Sequence, residues 1–161
     1  MKNLIIILLL LSAITACTQP DAEKKSPPLS EGTAESAGLS STAQDYATFL
    51  QMYLNAGEVN GKRILSRTTI QSMMGNQNPD IWGENAESYY AMAFSVTTQR
   101  GQDKGGNGSI GTFRWGGYFN TQYFADPEEK VIGILMKQTQ DAGNDDTGWK
   151  FPILVGQAVN D

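Results

Sequence analysis

The spacing of apolar residues divides the chain into two helices, a group of strands and a closing helix. Tyr46, Phe49, Leu50, Tyr53 and Leu54 recur at helical spacing, and the hydroxyls of Ser40, Ser41 and Thr42 ahead of them are N-cap candidates. Together they predict a helix over 42–55, stopped by Asn55-Ala56-Gly57. Asn60-Gly61 reads as a turn before the short extended pair Ile64-Leu65. Ser66 opens a second helix, 66–75, with Ile70, Met73 and Met74 on one side. Tyr90, Met92, Phe94 and Val96 alternate with smaller residues and predict one strand from Tyr89 to Thr98. A turn-rich loop follows from Gln102 to Gly108, and then three strands over 109–117, 118–125 and 130–138. Asp126-Pro127-Glu128-Glu129 is a tight connection that makes the last two an antiparallel hairpin. Val131, Ile132, Ile134, Leu135 and Met136 form the nearly continuous apolar run of a strand buried on both faces. Beyond a loop from Asp141 to Gly148, Trp149 to Val159 carries Phe151, Leu154, Val155 and Val159 on one helical stripe. The pattern is α+β, an antiparallel sheet of three to four strands flanked by helices, with no internal repeat.

The start of the chain reads differently. Lys2 precedes an apolar run from Leu4 to Leu11, too short for a membrane span, which needs about 20 apolar residues. It has the form of a secretory leader. Ile14-Thr15-Ala16-Cys17 resembles the bacterial lipobox, so residues 1–16 are expected to be a lipoprotein signal peptide and Cys17 the lipidated N-terminus. The chain would then be held to membrane lipid in the bacterial cell envelope. Thr18 beside Cys17 resembles the signal for the periplasmic face of the outer membrane in a Gram-negative source. Residues 17–36 hold Pro20, Pro27, Pro28 and several charges, with Leu29 the one large apolar residue; this stretch is expected to be a disordered tether. Residues 37–161 remain for the folded domain.

Composition narrows the chemistry. The 161 residues contain 12 Lys and Arg, 17 Asp and Glu, one Cys and no His. Without an imidazole there is no Ser-His-Asp or Cys-His catalysis and no His-ligated metal. A single cysteine forms no internal disulfide or metal cluster. The net charge of −5 argues against nucleic acid as a partner. No cofactor site is legible. Asp141, Asp145 and Asp146 share a loop, but their spacing does not match a calcium-binding loop, so no metal is expected. Arg114 and Lys137, placed on neighbouring strands by this pattern, either meet a substrate carboxylate or simply face water.

Four segments, in order, resemble a known family. Gly38-Leu39-Ser40-Ser41-Thr42-Ala43-Gln44-Asp45-Tyr46, then Asn60-Gly61-Lys62-Arg63-Ile64-Leu65-Ser66, then Trp115-Gly116-Gly117, then Asp126-Pro127 with the strand from Val131 to Met136 are similar to serine β-lactamases and penicillin-binding-protein-like enzymes, in particular class C β-lactamase relatives. The resemblance implies the C-terminal part of the β-lactamase/transpeptidase-like fold. It also implies a serine hydrolase acting on β-lactams, D-alanyl peptides or esters. Trp115-Gly116-Gly117 corresponds to the family's third motif, which lines one wall of the site. By resemblance Trp115, Gly116, Gly117 and Tyr118 are substrate-binding, with the Tyr118 N–H as an oxyanion donor. Taken without the resemblance, Trp115 reads as a packed core aromatic and Gly116-Gly117 as relief of crowding in a twisted sheet.

The family's nucleophile, the Ser of Ser-x-x-Lys, has no counterpart: no Ser in the chain has Lys three residues on. Tyr53-Leu54-Asn55 and Tyr118-Phe119-Asn120 match the family's Tyr-x-Asn string but sit at a helix end and directly after the third motif, and read as chance. No catalytic residue is therefore assigned. The expectation is a truncated relative, inactive alone, with a protein partner supplying the missing N-terminal half. The strand from Lys130 to Gln138 should then have an unpaired edge, and the helix from Trp149 to Val159 an exposed apolar side. The alternative is a non-catalytic envelope lipoprotein that binds a cell-wall peptide or protein.

Overall fold

A computed structural model describes residues 39–83, 85–105, 108–139 and 145–159. The leader, Cys17, the tether and Asp141 lie outside them. Thr42 caps the first helix, α1 (Ala43–Leu54), by accepting from the Asp45 N–H at 3.1 Å. Asn60 and Gly61, both at positive φ, then turn the chain between β1 (Glu58–Val59) and β2 (Lys62–Arg63), as a two-residue hairpin requires. Ser66 caps α2 (Arg67–Met74), accepting from the Thr69 N–H at 3.0 Å. Both predicted caps and both predicted helices are in place.

The sheet is larger than its sequence pattern suggests. Five antiparallel strands stand in chain order: β3 (Ser88–Tyr90), β4 (Ser95–Thr97), β5 (Phe113–Gly116), β6 (Gln122–Asp126) and β7 (Val131–Leu135). The strand predicted from Tyr89 to Thr98 is in fact a hairpin of two, because the Ala91 N–H turns back to the Phe94 carbonyl at 2.9 Å. Alternation alone does not distinguish one strand from two joined at a tight bend. The predicted loop from Gln102 begins inside a short helix, α3 (Gln99–Asp103), capped by Thr98. Residues before Phe113 are held in a turn, and Gly117 to Thr121 form the β5–β6 connection, so both strands are shorter than predicted. The β6–β7 hairpin is as expected.

The sheet separates two apolar layers. On one face Phe94, Val96, Phe113, Ala125 and Ile132 pack against Ala47, Leu50 and Tyr53 of α1 and Ile70 of α2. On the other, Phe124 and Val131 pack against Phe151 and Val155 of α4 (Thr147–Val159). Phe124 lies over Gly133, where a Cβ would run into its ring. At the far end of the hairpin Asp126, 5% exposed, accepts four hydrogen bonds. One oxygen takes the Ser109 N–H and the Thr112 hydroxyl, each at 2.9 Å; the other takes the N–H groups of Glu128 at 3.0 Å and Glu129 at 3.1 Å. These groups fix the start of β5 against the β6–β7 turn. As expected, β7 is an edge strand with β6 as its partner among the described residues, and α4 exposes Trp149 and Leu154. Its innermost residues Val131, Ile132 and Gly133 are buried.

Candidate functional site

Trp115 and Gly116 close β5, and Gly117 and Tyr118 begin the turn that follows. The Trp115 indole is 44% exposed and so is not a buried core aromatic. It meets Tyr90 edge-on, ring centres 5.1 Å apart, and Tyr90 in turn meets Trp82 at 4.9 Å. This aromatic row forms a rim. The Gly117 N–H is consumed inside the turn, donating to the Thr121 carbonyl at 2.8 Å, while the Asn120 N–H closes the turn on the Gly117 carbonyl at 2.9 Å. That leaves the Tyr118 N–H, whose side chain is 62% exposed, with no acceptor among the described residues.

Beside this corner, α4 stands away from the β5 side of the sheet and leaves a cavity of about 710 Å³. Trp115, Gly116, Arg114, Gln122, Asp145 and Trp149 contribute to its lining. Burial lowers the pKa of Arg114, a shift that leaves a guanidinium charged at any ordinary pH. Three lining residues, Asn120, Gln122 and Asp145, belong to one polar chain. Gln122 donates to Asn120 at 3.1 Å, Asn120 donates to the Asp145 carboxylate at 2.9 Å, and Lys137 pairs with Asp145 while donating to the Thr147 hydroxyl at 2.8 Å. Asp145 also accepts from the Thr147 N–H at 3.1 Å, fixing the start of α4.

Of the four residues singled out in sequence, Trp115 and Gly116 line the cavity and Gly117 and Tyr118 belong to the turn that follows them in the chain. Arg114 and Lys137 are not on adjacent strands: β6 lies between β5 and β7, and Lys137 sits beyond β7 against Asp145. Asp146 pairs with Lys150, and no group of three carboxylate or thiol ligands gathers among the described residues. Tyr53 is in the core, and Asn55 caps the end of α1. Gln122, Thr147 and the role of Asp145 were not legible in the sequence, and Asn120 stood there only in a Tyr-x-Asn match read as chance. The one local signal was Asp145 two residues before Thr147, the spacing of a carboxylate that holds a helix start.

The description "Beta-lactamase" is that of the family model matching residues 12–157. Two curated proteins of Mycobacterium tuberculosis, protein Rv1367c of strain H37Rv and the uncharacterized protein MT1414 of strain CDC 1551 / Oshkosh, are each 32% identical over 113 residues. The match takes in 63% of this chain, which spans 28% of the length of either relative. Among solved structures, EstCE1, a hydrolase with promiscuous acyltransferase activity, superposes with a TM-score of 0.48 at 18% identity, over 68% of this chain and 28% of that one. With the family model matched over most of its length, the chain belongs to the beta-lactamase family.

Proposed function

We propose that this chain supplies one wall of a β-lactamase-like serine hydrolase site, for β-lactam, D-alanyl peptide or ester substrates, and that it is inert alone. In this reading Trp115 and Gly116 border the substrate, Gly117 lets it lie close to the backbone, and the Tyr118 N–H faces the oxyanion. The observation that carries it is that N–H group: it has no acceptor among the described residues, in the turn directly after Trp115-Gly116-Gly117. A preorganised donor of this kind lowers an acyl-transfer barrier by about 3 kcal/mol. The nucleophile comes from a Ser-x-x-Lys segment outside these 161 residues, since the chain has none. The serine oxygen, passing its proton to the Lys of that segment, would attack the carbonyl carbon; the C=O π pair would move onto the oxygen facing the Tyr118 N–H, and its return would expel the amine or alcohol, which takes up the proton. Cys17, lipidated, would hold the chain to the membrane of a bacterial envelope.

The test is acylation by fluorescent penicillin and fluorophosphonate probes. The chain alone should not label. A Ser-x-x-Lys-bearing N-terminal segment of a family member, co-expressed with it, should label only when the chain is present. Tyr118→Pro removes the donor at the second position of a turn, where Pro is well tolerated, and should reduce that labelling about a hundredfold. Labelling that ignores Tyr118→Pro would refute the assignment.

A further inference from the structure

We propose that Asn120 is a positioning residue, whose side chain fixes the direction in which the Tyr118 N–H points. Its use in catalysis rests on the hydrolase reading; the geometry rests on the turn alone. The Tyr118 N–H shares a peptide plane with the Gly117 carbonyl, and in a trans peptide the two point opposite ways. That carbonyl accepts the Asn120 N–H at 2.9 Å. Whatever holds the backbone at Asn120 therefore aims the Tyr118 N–H outward from the turn.

Asn120 has φ of 63°, in the left-handed region that asparagine enters more readily than most residues because its amide can bond nearby. Both ends of that amide are engaged: the oxygen accepts from Gln122 at 3.1 Å, and the nitrogen donates to Asp145 at 2.9 Å. Neither partner is loose. Asp145 is paired with Lys137 and takes the Thr147 N–H, which ties it to the start of α4. The Gln122 amide lies between two glycines, for a Cβ on Gly116 would come within 2.9 Å of it and one on Gly148 within 3.1 Å. Gly116 thus makes room for the amide that supports the turn. Two further bonds, from the Thr139 N–H to the Phe119 carbonyl at 3.1 Å and from the Thr121 hydroxyl to the Lys137 carbonyl at 3.2 Å, tie the turn to the segment after β7. Neither involves the Gly117–Tyr118 peptide, so its rotation is left to Asn120.

Asn120→Asp keeps the shape and the tolerance of positive φ but sets a second carboxylate against Asp145 in place of a donor. In the full chain, hydrogen-exchange protection of the position-120 amide, which reports the bond to the Gly117 carbonyl, should fall about tenfold, with the amides of β6 unchanged. Adding Asp145→Asn exchanges donor and acceptor, and should restore most of that protection. Asn120→Gly, which allows the same φ without the amide, is the second variant and should lose protection likewise. With the Ser-x-x-Lys segment supplied, Asn120→Asp should lower the maximal acylation rate about ten- to a hundredfold and leave the half-saturating probe concentration nearly unchanged, because the donor is misaimed while the wall stays intact. Unchanged protection at position 120, a loss spread through β6, no recovery in the double variant, or a labelling defect confined to probe affinity would overturn the proposal. Failure of the wild-type pair to label would refute the hydrolase reading instead, and the exchange cycle would still decide whether Asn120 holds the turn.

Discussion

Asp126 links segments that are far apart in the chain, and its carboxylate is held for that reason. Burial by itself would raise its pKa, but the donors Ser109, Glu129, Thr112 and Glu128 outweigh burial and hold it below the ordinary carboxylate value. Removing the side chain leaves buried donors without an acceptor, so Asp126→Ala should cost about 3 kcal/mol in denaturant unfolding. Asp126→Asn, which keeps an acceptor oxygen, should cost less. The Asp126-Pro127 turn was legible in the sequence because it is local. Its bonds to Ser109 and Thr112 were not, since no spacing rule reaches across 17 and 14 residues. The same holds at the site. Trp115-Gly116-Gly117-Tyr118 was legible because it is contiguous, whereas Asn120 and Asp145, 25 residues apart, meet only through the fold.

Among the elements, helices were read more faithfully than strands. Thr42 and Ser66 announce α1 and α2 with side chains that act within three residues. A strand is defined by its neighbour, and the ends of β5 and β6 are set by hydrogen bonds to turns that periodicity does not register. Gly133 illustrates the point, since it looks like a weak spot in an apolar run and is in fact the seat of the Phe124 ring. Gly133→Ala should displace that ring and lower stability by about 1–3 kcal/mol by overpacking. A thermal-unfolding comparison with wild type measures it. If the alanine is neutral, Phe124 is not seated as described.

At the scale of the molecule, the sheet lies between α1 on one face and α4 on the other, with α4 covering the β6–β7 side. No helix among the described residues is long and apolar enough to cross a membrane, so the proposed attachment rests on Cys17. Mass spectrometry of the protein purified from a lipoprotein-processing bacterium should find an N-terminal peptide beginning at a diacylated Cys17. An unmodified peptide retaining residues 1–16 would refute the anchor. The α+β class was legible from element order, but β3 and β4 were read as a single strand because they share one unbroken alternating run.

The four bonds to Asp126 have a kinetic consequence. The backbone protons of Ser109, Glu128 and Glu129 depend on one acceptor group, so a single protonation weakens them together. Because the folded pKa is lower than the unfolded one, the stabilisation is complete above the carboxylate range and fades as pH falls from about 4. In hydrogen exchange on acidification those three amides should lose protection as a set, although 17 residues separate Ser109 from Asp126. A carboxylate thus times the opening of two loops that the chain sequence keeps apart.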